Sequence, residues 1–365
     1  MRTQTGNPAL IELIRAEIQK RGPVSFAWFM EQALYHPEHG YYSSGRCAIG
    51  RHGDYFTNVS VGPFFGRLLT AQFAQMWERL GQPGDFIIVE QGAHHGDFAR
   101  DVLDSACRSY PDFFAALRYR IVEPFSILQE RQSQTLQSFR DKVEWRDSIE
   151  PFVGLHFSNE LLDSMPVNLR GKLVGLDGDD FVFVQGAAVS NPPKEEGPCN
   201  QVALDWLDNV SRNLLRGYVL MIDYGYSRDE FRQNLQVRAQ HRYLDSPFER
   251  IGHADITAHV NWTTIVEHAR GNGLRLAGFT DQYHFLTGIV FEWPDLTEDP
   301  KIKRALQTLL HPEMLGRAFQ VLALEKGDPA ADTHSASLRA DSASTKDVDL
   351  GGRLAGFKFA RNAVP

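Results

Sequence analysis

Phe86-Ile-Ile-Val-Glu90-Gln-Gly92-Ala-His-His-Gly96-Asp-Phe98 is the stretch whose reading decides the fold of this chain. Residues of strand-forming type run into an acid, a glycine-punctuated turn follows, and a helix-compatible segment takes over. A doubly wound α/β domain presents the carboxyl edge of its first strand to a nucleotide-like ligand in this way. Gly92 lets the backbone turn and approach a ligand, and Gly96 is expected to spare the next helix a Cβ against the strand. His94 stands where a dinucleotide fingerprint has its second glycine, so a diphosphate would be poorly served. Acid-x-Gly-x-x-x-Gly fits instead a ribose, an adenine and a short charged tail, which describes S-adenosylmethionine.

Outward from this turn the β/α alternation continues. Tyr119-Arg-Ile-Val-Glu123 reads as a second strand ending in an acid, followed by Pro124 and a helix to about Phe139. Val143 to Asp147 and Gly154 to Asn159 supply a third and a fourth strand. Tyr218-Val-Leu-Met-Ile-Asp223 is almost continuously apolar, as the buried centre of a parallel sheet requires. Hairpin-like pieces at Lys172 to Leu176 and Phe181 to Val184 interrupt the alternation. A polar stretch, 226–256, precedes a helix over Asn261 to Arg270, and Leu274 to Phe279 and Ala318 to Leu324 are the last expected strands.

Ahead of the sheet, Leu10, Ile11, Ile14 and Ile18 form the apolar stripe of a first helix, stopped by Gly22-Pro23. Phe26 to Leu34 reads as a second helix, and Leu69, Phe73, Trp77 and Leu80 as a third that ends at Gly81. The expected organisation is an N-terminal helical and cofactor-covering segment (1–84) and a Rossmann-like α/β core (85–326). That core has a mostly parallel, doubly wound sheet and substrate-side insertions at about 165–215 and 226–258. A tail at 327–365 is poor in large apolar side chains over 327–352 and is expected to be disordered, its short apolar end, Leu354 to Phe359, docking back.

Composition bounds the function. With 42% hydrophobic and 23% charged residues the chain is of ordinary globular type. A net charge of −8 without a long basic run argues against nucleic acid and against an anionic membrane surface. Cys47, Cys107 and Cys199 are too few and too far apart for a disulfide framework or a zinc site. The expectation is a cytoplasmic protein with no membrane insertion and no metal, for which a homodimer stays open. Pro37 in His36-Pro-Glu-His39 prevents the helix that a His-Glu-x-x-His zinc site needs, and the adjacent His94 and His95 diverge.

In such a fold ligands sit beyond the carboxyl ends of the strands. This chain places Glu90, Glu123, Asp147, Asn159-Glu160 and Asp223 there. Any one of them is explained equally well as a helix cap, but the series is not. Glu123 suits the two ribose hydroxyls, Asp147 with Ser148 the adenine amine, and the turn at Gly92 the methionine tail.

Six motifs stand in order: Gly50-Arg-His-Gly53-Asp54-Tyr-Phe-Thr57, the Glu90 to Gly96 turn, Val122-Glu123, Asn159-Glu-Leu-Leu-Asp163-Ser-Met-Pro166, Ile222-Asp-Tyr-Gly225 and Asp255-Ile-Thr-Ala-His259-Val-Asn-Trp262. Together they resemble the MidA-type methyltransferases over roughly residues 20–325. That resemblance implies a class I S-adenosylmethionine fold and, from the family's mitochondrial member, methylation of a protein arginine in respiratory complex I assembly. It also implies a cofactor-covering loop at Gly50, Gly53, Asp54 and Thr57, with Asp54 and Thr57 on the methionine end. The family turn usually carries a glycine where this chain has His94, whose ring is expected to reshape the cofactor site.

Arginine is a poor nucleophile, since its guanidinium stays charged up to a pKa above about 12. A pair of carboxylates that grips the fork localises charge away from the attacking nitrogen. Glu160 and Asp163 are the candidates, on one side of a helical turn if 160–163 begins one, with Asn159 orienting Glu160 or holding the sulfonium tail. The alternative there is an N-capping Asn with acids at a helix start. Asp255 or Thr257 is expected to cap a helix beside the substrate channel, with His259 a base or a structural residue. A protein arginine is the favoured acceptor. A small-molecule N- or O-methyltransferase and a non-catalytic assembly factor on the same fold are the alternatives.

Overall fold

The computed structural model describes residues 5–45, 47, 57–186, 200–227, 235–297, 302–327 and 353–360. Its first elements are α1 (Pro8–Arg21), β1 (Val24–Ser25), α2 (Phe26–Tyr35) and α3 (Phe64–Arg79). Leu10, Ile11, Ile14 and Ile18 form the buried face of α1, and Asn7 caps it through Oδ1 to the Ala9 and Leu10 N–H groups.

The alternating region then runs β2 (Phe86–Gln91), α4 (Asp97–Ser109), α5 (Pro111–Ala116), β3 (Leu117–Val122), α6 (Ser126–Thr135), β4 (Val143–Arg146) and β5 (Phe152–Asn159). The hairpin β6 (Lys172–Asp177) and β7 (Asp180–Gln185) follows, then α7 (Gln201–Asn213) and the long β8 (Leu214–Tyr226). Next come β9 (Leu235–Ala239), β10 (Arg242–Tyr243), β11 (Asp255–Ala258), β12 (Val260–Asn261) and α8 (Trp262–Gly271). The chain closes with β13 (Arg275–Asp281), α9 (Gln282–Glu292), α10 (Ile302–Leu310) and β14 (Phe319–Lys326).

The main sheet has the order β4-β3-β2-β5-β8-β14-β13, with β12 paired to the end of β8. The pairs among β4, β3, β2, β5 and β8 are parallel, and β14 and β13 are antiparallel. Strand order reverses at β2: β3 and β4 lie to one side, β5 and β8 to the other. A crevice must open at the carboxyl ends of β2 and β5, because the crossover connections leave in opposite directions. The expected Rossmann-like fold class is borne out.

Helices α1 and α2, the β6–β7 hairpin and the β9–β11 segment share a second core. Phe26, Phe29 and Met30 of α2 pack with Val174 of β6, Phe181 of β7, Val237 of β9, Ile256 and Ala258 of β11, and Phe248. The Phe29 and Phe183 rings lie 5.2 and 4.9 Å from that of Phe248. Helices α1 and α2, the β6–β7 hairpin and the β9–β11 segment thus form one accessory lobe, stitched by β1 pairing with β6, while α3 and α7 pack on the main sheet.

Several expectations need correction. The polar stretch 226–256 holds strands β9 and β10 and the start of β11, because alternate residues face the lobe core. Asp255 does not open a helix: it starts β11, and α8 is capped by Asn261, whose Oδ1 accepts from Thr264 N at 3.2 Å. A Cβ on Gly96 would meet Leu136 and Gln132 of the α6 region rather than the strand. Helices α9 and α10 had no counterpart in the periodicity reading.

The tail is not uniform either. Residues 328–352 and 361–365 lie outside the described residues, while 353–360 docks back with Leu354, Ala355 and Phe357 buried. Gln75 Oε1 accepts from Ala355 N at 2.9 Å and Gln72 Oε1 from Gly356 N at 2.8 Å, so α3 satisfies the strap's backbone. Phe357 sits over Gly278, where a Cβ would come within 2.3 Å of its ring. Phe357→Ala is expected to cost about 3 kcal/mol of unfolding free energy by vacating this socket. Urea unfolding checks it, and an unchanged midpoint would make the strap dispensable.

Candidate functional site

The carboxyl ends of β2, β3 and β5 open on a cavity of about 770 Å³, a size that suits a cofactor, since small-molecule sites span roughly 300–1,000 Å³. Glu90, Gly92 and His94 line it from β2 and the turn that follows, Glu123, Phe125 and Leu128 from the end of β3 and α6, and Asn159 and Glu160 from the end of β5. Thr57 and Ser60 close it from ahead of α3, and Tyr35, Tyr42 and Cys47 from the accessory lobe.

Gly92 has φ +79°, in the region where a side chain is strained, and its missing Cβ faces Leu161 at 3.4 Å. Glu123 is buried; its Oε1 accepts from Phe125 N at 3.0 Å and its Oε2 from Gln132 Nε2 at 3.2 Å. Burial raises its pKa. Glu90 is more enclosed: burial pushes it up to about 8, and Tyr119 donates to Oε2 at 2.7 Å.

His94 takes φ +46° and stacks on His95 with ring centroids 3.7 Å apart. Burial lowers its pKa to about 4, so it is neutral, and its Nε2 is buried without a partner among the described residues. The ring forms part of the cavity wall and leaves the cavity open.

Not every expected ligand lines this space. Gly50, Gly53 and Asp54 lie outside the described residues, and only Thr57 of that loop is placed, its Oγ1 2.9 Å from Ser60 Oγ. Asp147 and Ser148 are exposed and do not reach the cavity, since β4 ends at Arg146 on the edge of the sheet. The apolar surface of Phe125 and Leu128 stands there instead.

The segment after β5 is not a helical turn. Glu160 has φ +54°, and the next backbone N–H groups converge on one carboxylate. Asp223 Oδ2, at the end of β8, accepts from Leu161, Leu162 and Asp163 N at 3.1, 2.8 and 3.3 Å, while Oδ1 accepts from Tyr224 N at 2.8 Å. Asn159 Nδ2 donates to Glu160 Oε1 at 2.9 Å, and Asn58 Nδ2 donates to Asn159 Oδ1 at 3.0 Å. Burial pushes Glu160 up to about 8. Asp163 is raised well above the usual carboxylate range, first by burial and then by Asp223, Asp255 and Glu160.

Asp163 does not line the large cavity. It faces a second, small pocket of about 20 Å³, shared with Glu160, Tyr224, Arg238, Asp255 and His259. Glu160 and Tyr42 border both spaces. Sheet register explains the far wall: Asp255 pairs with Arg238 and Thr257 with Gln236, so these side chains share one face. Asp255, Thr257 and His259 alternate into the pocket while Ile256 and Ala258 fill the lobe core. Burial lowers His259 to about 4, which leaves it neutral. Arg238, Gln236, Tyr42 and Tyr224 were missed as site residues. Their signal was the period of two in Gln236-x-Arg238 and Asp255-x-Thr257-x-His259, masked by the polarity of the stretch.

A reversed parallel sheet with a cavity at its switch point, acids at the strand ends and a left-handed glycine after the first strand defines a class I methyltransferase. The chain belongs to the family described as "Putative S-adenosyl-L-methionine-dependent methyltransferase", whose model matches residues 68–175 and 180–280. It is therefore an S-adenosylmethionine-dependent methyltransferase, and the resemblance to MidA-type enzymes holds. A Drosophila melanogaster relative named "Protein arginine methyltransferase NDUFAF7 homolog, mitochondrial" is 26% identical over 392 residues, 90% of this chain and 88% of the relative. The Homo sapiens protein arginine methyltransferase NDUFAF7 is 25% identical, over 84% of this chain and 81% of its own. A crystal structure from Burkholderia thailandensis bound to S-adenosyl-homocysteine superposes with a TM-score of 0.81 at 27% identity, covering 96% of this chain and 95% of that one. Among the described residues no helix is long and apolar enough to cross a membrane.

Asp223→Ala strips an acceptor from a group of buried N–H donors and is expected to cost about 3 kcal/mol of stability. A change below roughly 0.5 kcal/mol in urea unfolding would mean that those donors find other partners.

Proposed function

We propose that this methyltransferase modifies an arginine guanidinium on a protein, bound in the small acidic pocket. The observation that carries the reading is the meeting of two spaces at Glu160: a cofactor-sized cavity on one side, and on the other a pocket walled by Glu160, Asp163 and Asp255. Among the described residues Asp163 receives no side-chain hydrogen bond, and a buried carboxylate without donors favours a cationic guest. The printed names of the Drosophila and human relatives support the same acceptor.

The residues of the large cavity suit the cofactor. We assign Glu123 to the ribose hydroxyls, Phe125 and Leu128 to the adenine face, and Gly92, Thr57 and Asn159 to the methionine end, since all of them line the cavity. Asp54, with Gly50 and Gly53, remains our expectation for the covering loop. S-adenosylmethionine supplies a methyl group activated by a positively charged sulfur.

Glu160 and Asp163 hold the guanidinium, and one of them takes the proton its nitrogen loses as the new N–C bond replaces the C–S bond. Fixing nucleophile and methyl carbon near contact distance can contribute roughly 7–11 kcal/mol. The three-cysteine composition still favours a reducing compartment, which we take to be the cytoplasm, although the relatives are named as mitochondrial.

The experiment supplies a labelled methyl donor with an arginine-containing peptide, its lysine counterpart and free arginine. Label on the arginine peptide alone supports the reading; label on free arginine or on neither peptide removes the protein-arginine acceptor. Glu160→Gln is expected to lower kcat by roughly a hundredfold or more with little change in cofactor affinity, since one general acid–base group supplies about 10²–10⁴. Equal loss of both would make Glu160 a cofactor ligand. Glu123→Ala is expected to weaken cofactor binding by roughly 10–100-fold, the loss of hydrogen bonds to a charged group. Calorimetry reads it, and unaltered affinity would remove Glu123 from the ribose.

The acid limb of the pH profile carries a sign. Below its pKa of about 8, Glu160 in the free enzyme is protonated and cannot pair with a guanidinium. Acceptor kcat/KM should therefore rise with pH and level off above about 8. A profile flat from pH 6 to 9 would show that Glu160 need not ionise.

A further inference from the structure

The acceptor pocket already contains a guanidinium. Among the described residues Arg238 is the one cationic side chain of its lining, and register sets it directly opposite Asp255 on the same face of the β9–β11 pair. Its Nη2 donates to Gln236 Oε1 and to the Tyr243 hydroxyl, each at 2.6 Å, and its carbon centre lies 4.6 Å from the Tyr243 ring. Its Nε is buried with no partner among the described residues. The tether is thus incomplete, unlike the bidentate pairing of a structural arginine.

The space left beside it, about 20 Å³, admits one water and no guanidinium. An acceptor can enter only if something moves, and the mobile candidate is defined. Tyr243 is 67% exposed on β10, a two-residue edge strand. The turn feeding it runs through Gln240 and His241 at φ +52° and +58°. Residues 240–243 of that hairpin tip are all exposed, whereas the Leu161, Leu162 and Asp163 N–H groups are held by the Asp223 carboxylate.

Resting on the arginine reading above, we propose that Arg238 is a resident guanidinium. It occupies the place of the substrate arginine and swings outward with Tyr243 when the acceptor enters. Arg238 is then a specificity-determining residue. Acceptors that cannot pair with Glu160 and Asp163 fail to displace it. The exchange transfers no bond, so it needs no co-reactant.

The test titrates methylguanidinium into the full-length wild type, Arg238→Ala and Tyr243→Phe by calorimetry, with S-adenosylmethionine binding as the fold control. If the open pocket is populated in roughly a tenth of wild-type molecules, removing the plug raises apparent affinity about tenfold. Arg238→Ala should do this, Tyr243→Phe should do it to a smaller extent, and KM for an arginine peptide should fall in both with the cofactor Kd unchanged. Adding Glu160→Gln to Arg238→Ala should abolish the gain. Methylguanidinium binding no tighter in Arg238→Ala, with cofactor binding intact, overturns the proposal. If Arg238→Ala loses cofactor binding, Tyr243→Phe decides by the same readout. Tighter methylguanidinium binding without methylation of any arginine peptide would sink the arginine reading and leave the resident guanidinium standing. Methylation without the tightening would do the reverse.

Discussion

The site depends on one carboxylate, that of Asp223, which lines neither of its two spaces. Parallel pairing aligns Asn159 of β5 with Ile222 of β8, so Asp223 emerges one residue beyond the last rung, beneath the N–H groups of residues 161–163. Those donors have no strand to pair with, and left in a dry interior each would cost about 1–3 kcal/mol. Gathering them on one oxygen stabilises a turn that lets Glu160 keep its left-handed backbone, a conformation otherwise worth about 1–3 kcal/mol of strain for a side-chain-bearing residue. Glu160 and Asp163 are therefore aimed by Asp223 before any ligand arrives.

The second constraint is topological. Methyl transfer needs a donor site and an acceptor site that meet, and an open α/β sheet supplies only the first. Here the far wall of the small pocket is supplied by the accessory lobe, whose three segments are separated in sequence by strands of the sheet. Their apolar faces, Phe29 from α2, Phe181 from β7 and Ile256 from β11, close over one core. The polar faces of β9 and β11 turn toward Glu160, through Gln236, Arg238, Asp255 and Thr257.

What could be read from residues alone follows from this division. The strands β2 and β8 carry continuous buried apolar runs, and such a run bounded by glycine or an acid is a strong local signal. Glu90, Glu123 and Glu160 were legible because their places at strand ends are fixed by that run. Asp147 was misplaced by the same logic: the edge strand β4 ends early and its last acid turns to solvent. β9 and β11 were illegible because half their residues are charged or polar, and only long-range pairing reveals which half is buried. Helix α9 escaped for a related reason: its first residue, Gln282, is polar yet fully buried, its Nε2 donating to the Leu309 and Leu315 carbonyl oxygens.

The docked strap bears on how the molecule is made. Phe357 and Leu354 belong to the same hydrophobic cluster as Phe65 of α3 and Phe285 of α9. A chain emerging from the ribosome can pair β2 with β3 and β5 early, yet its main core lacks a wall until residue 357 has cleared the exit tunnel. During that interval Gln72 and Gln75 wait with open acceptors beside bare aromatic surface. The nascent protein thus carries exposed apolar surface for as long as that segment is missing.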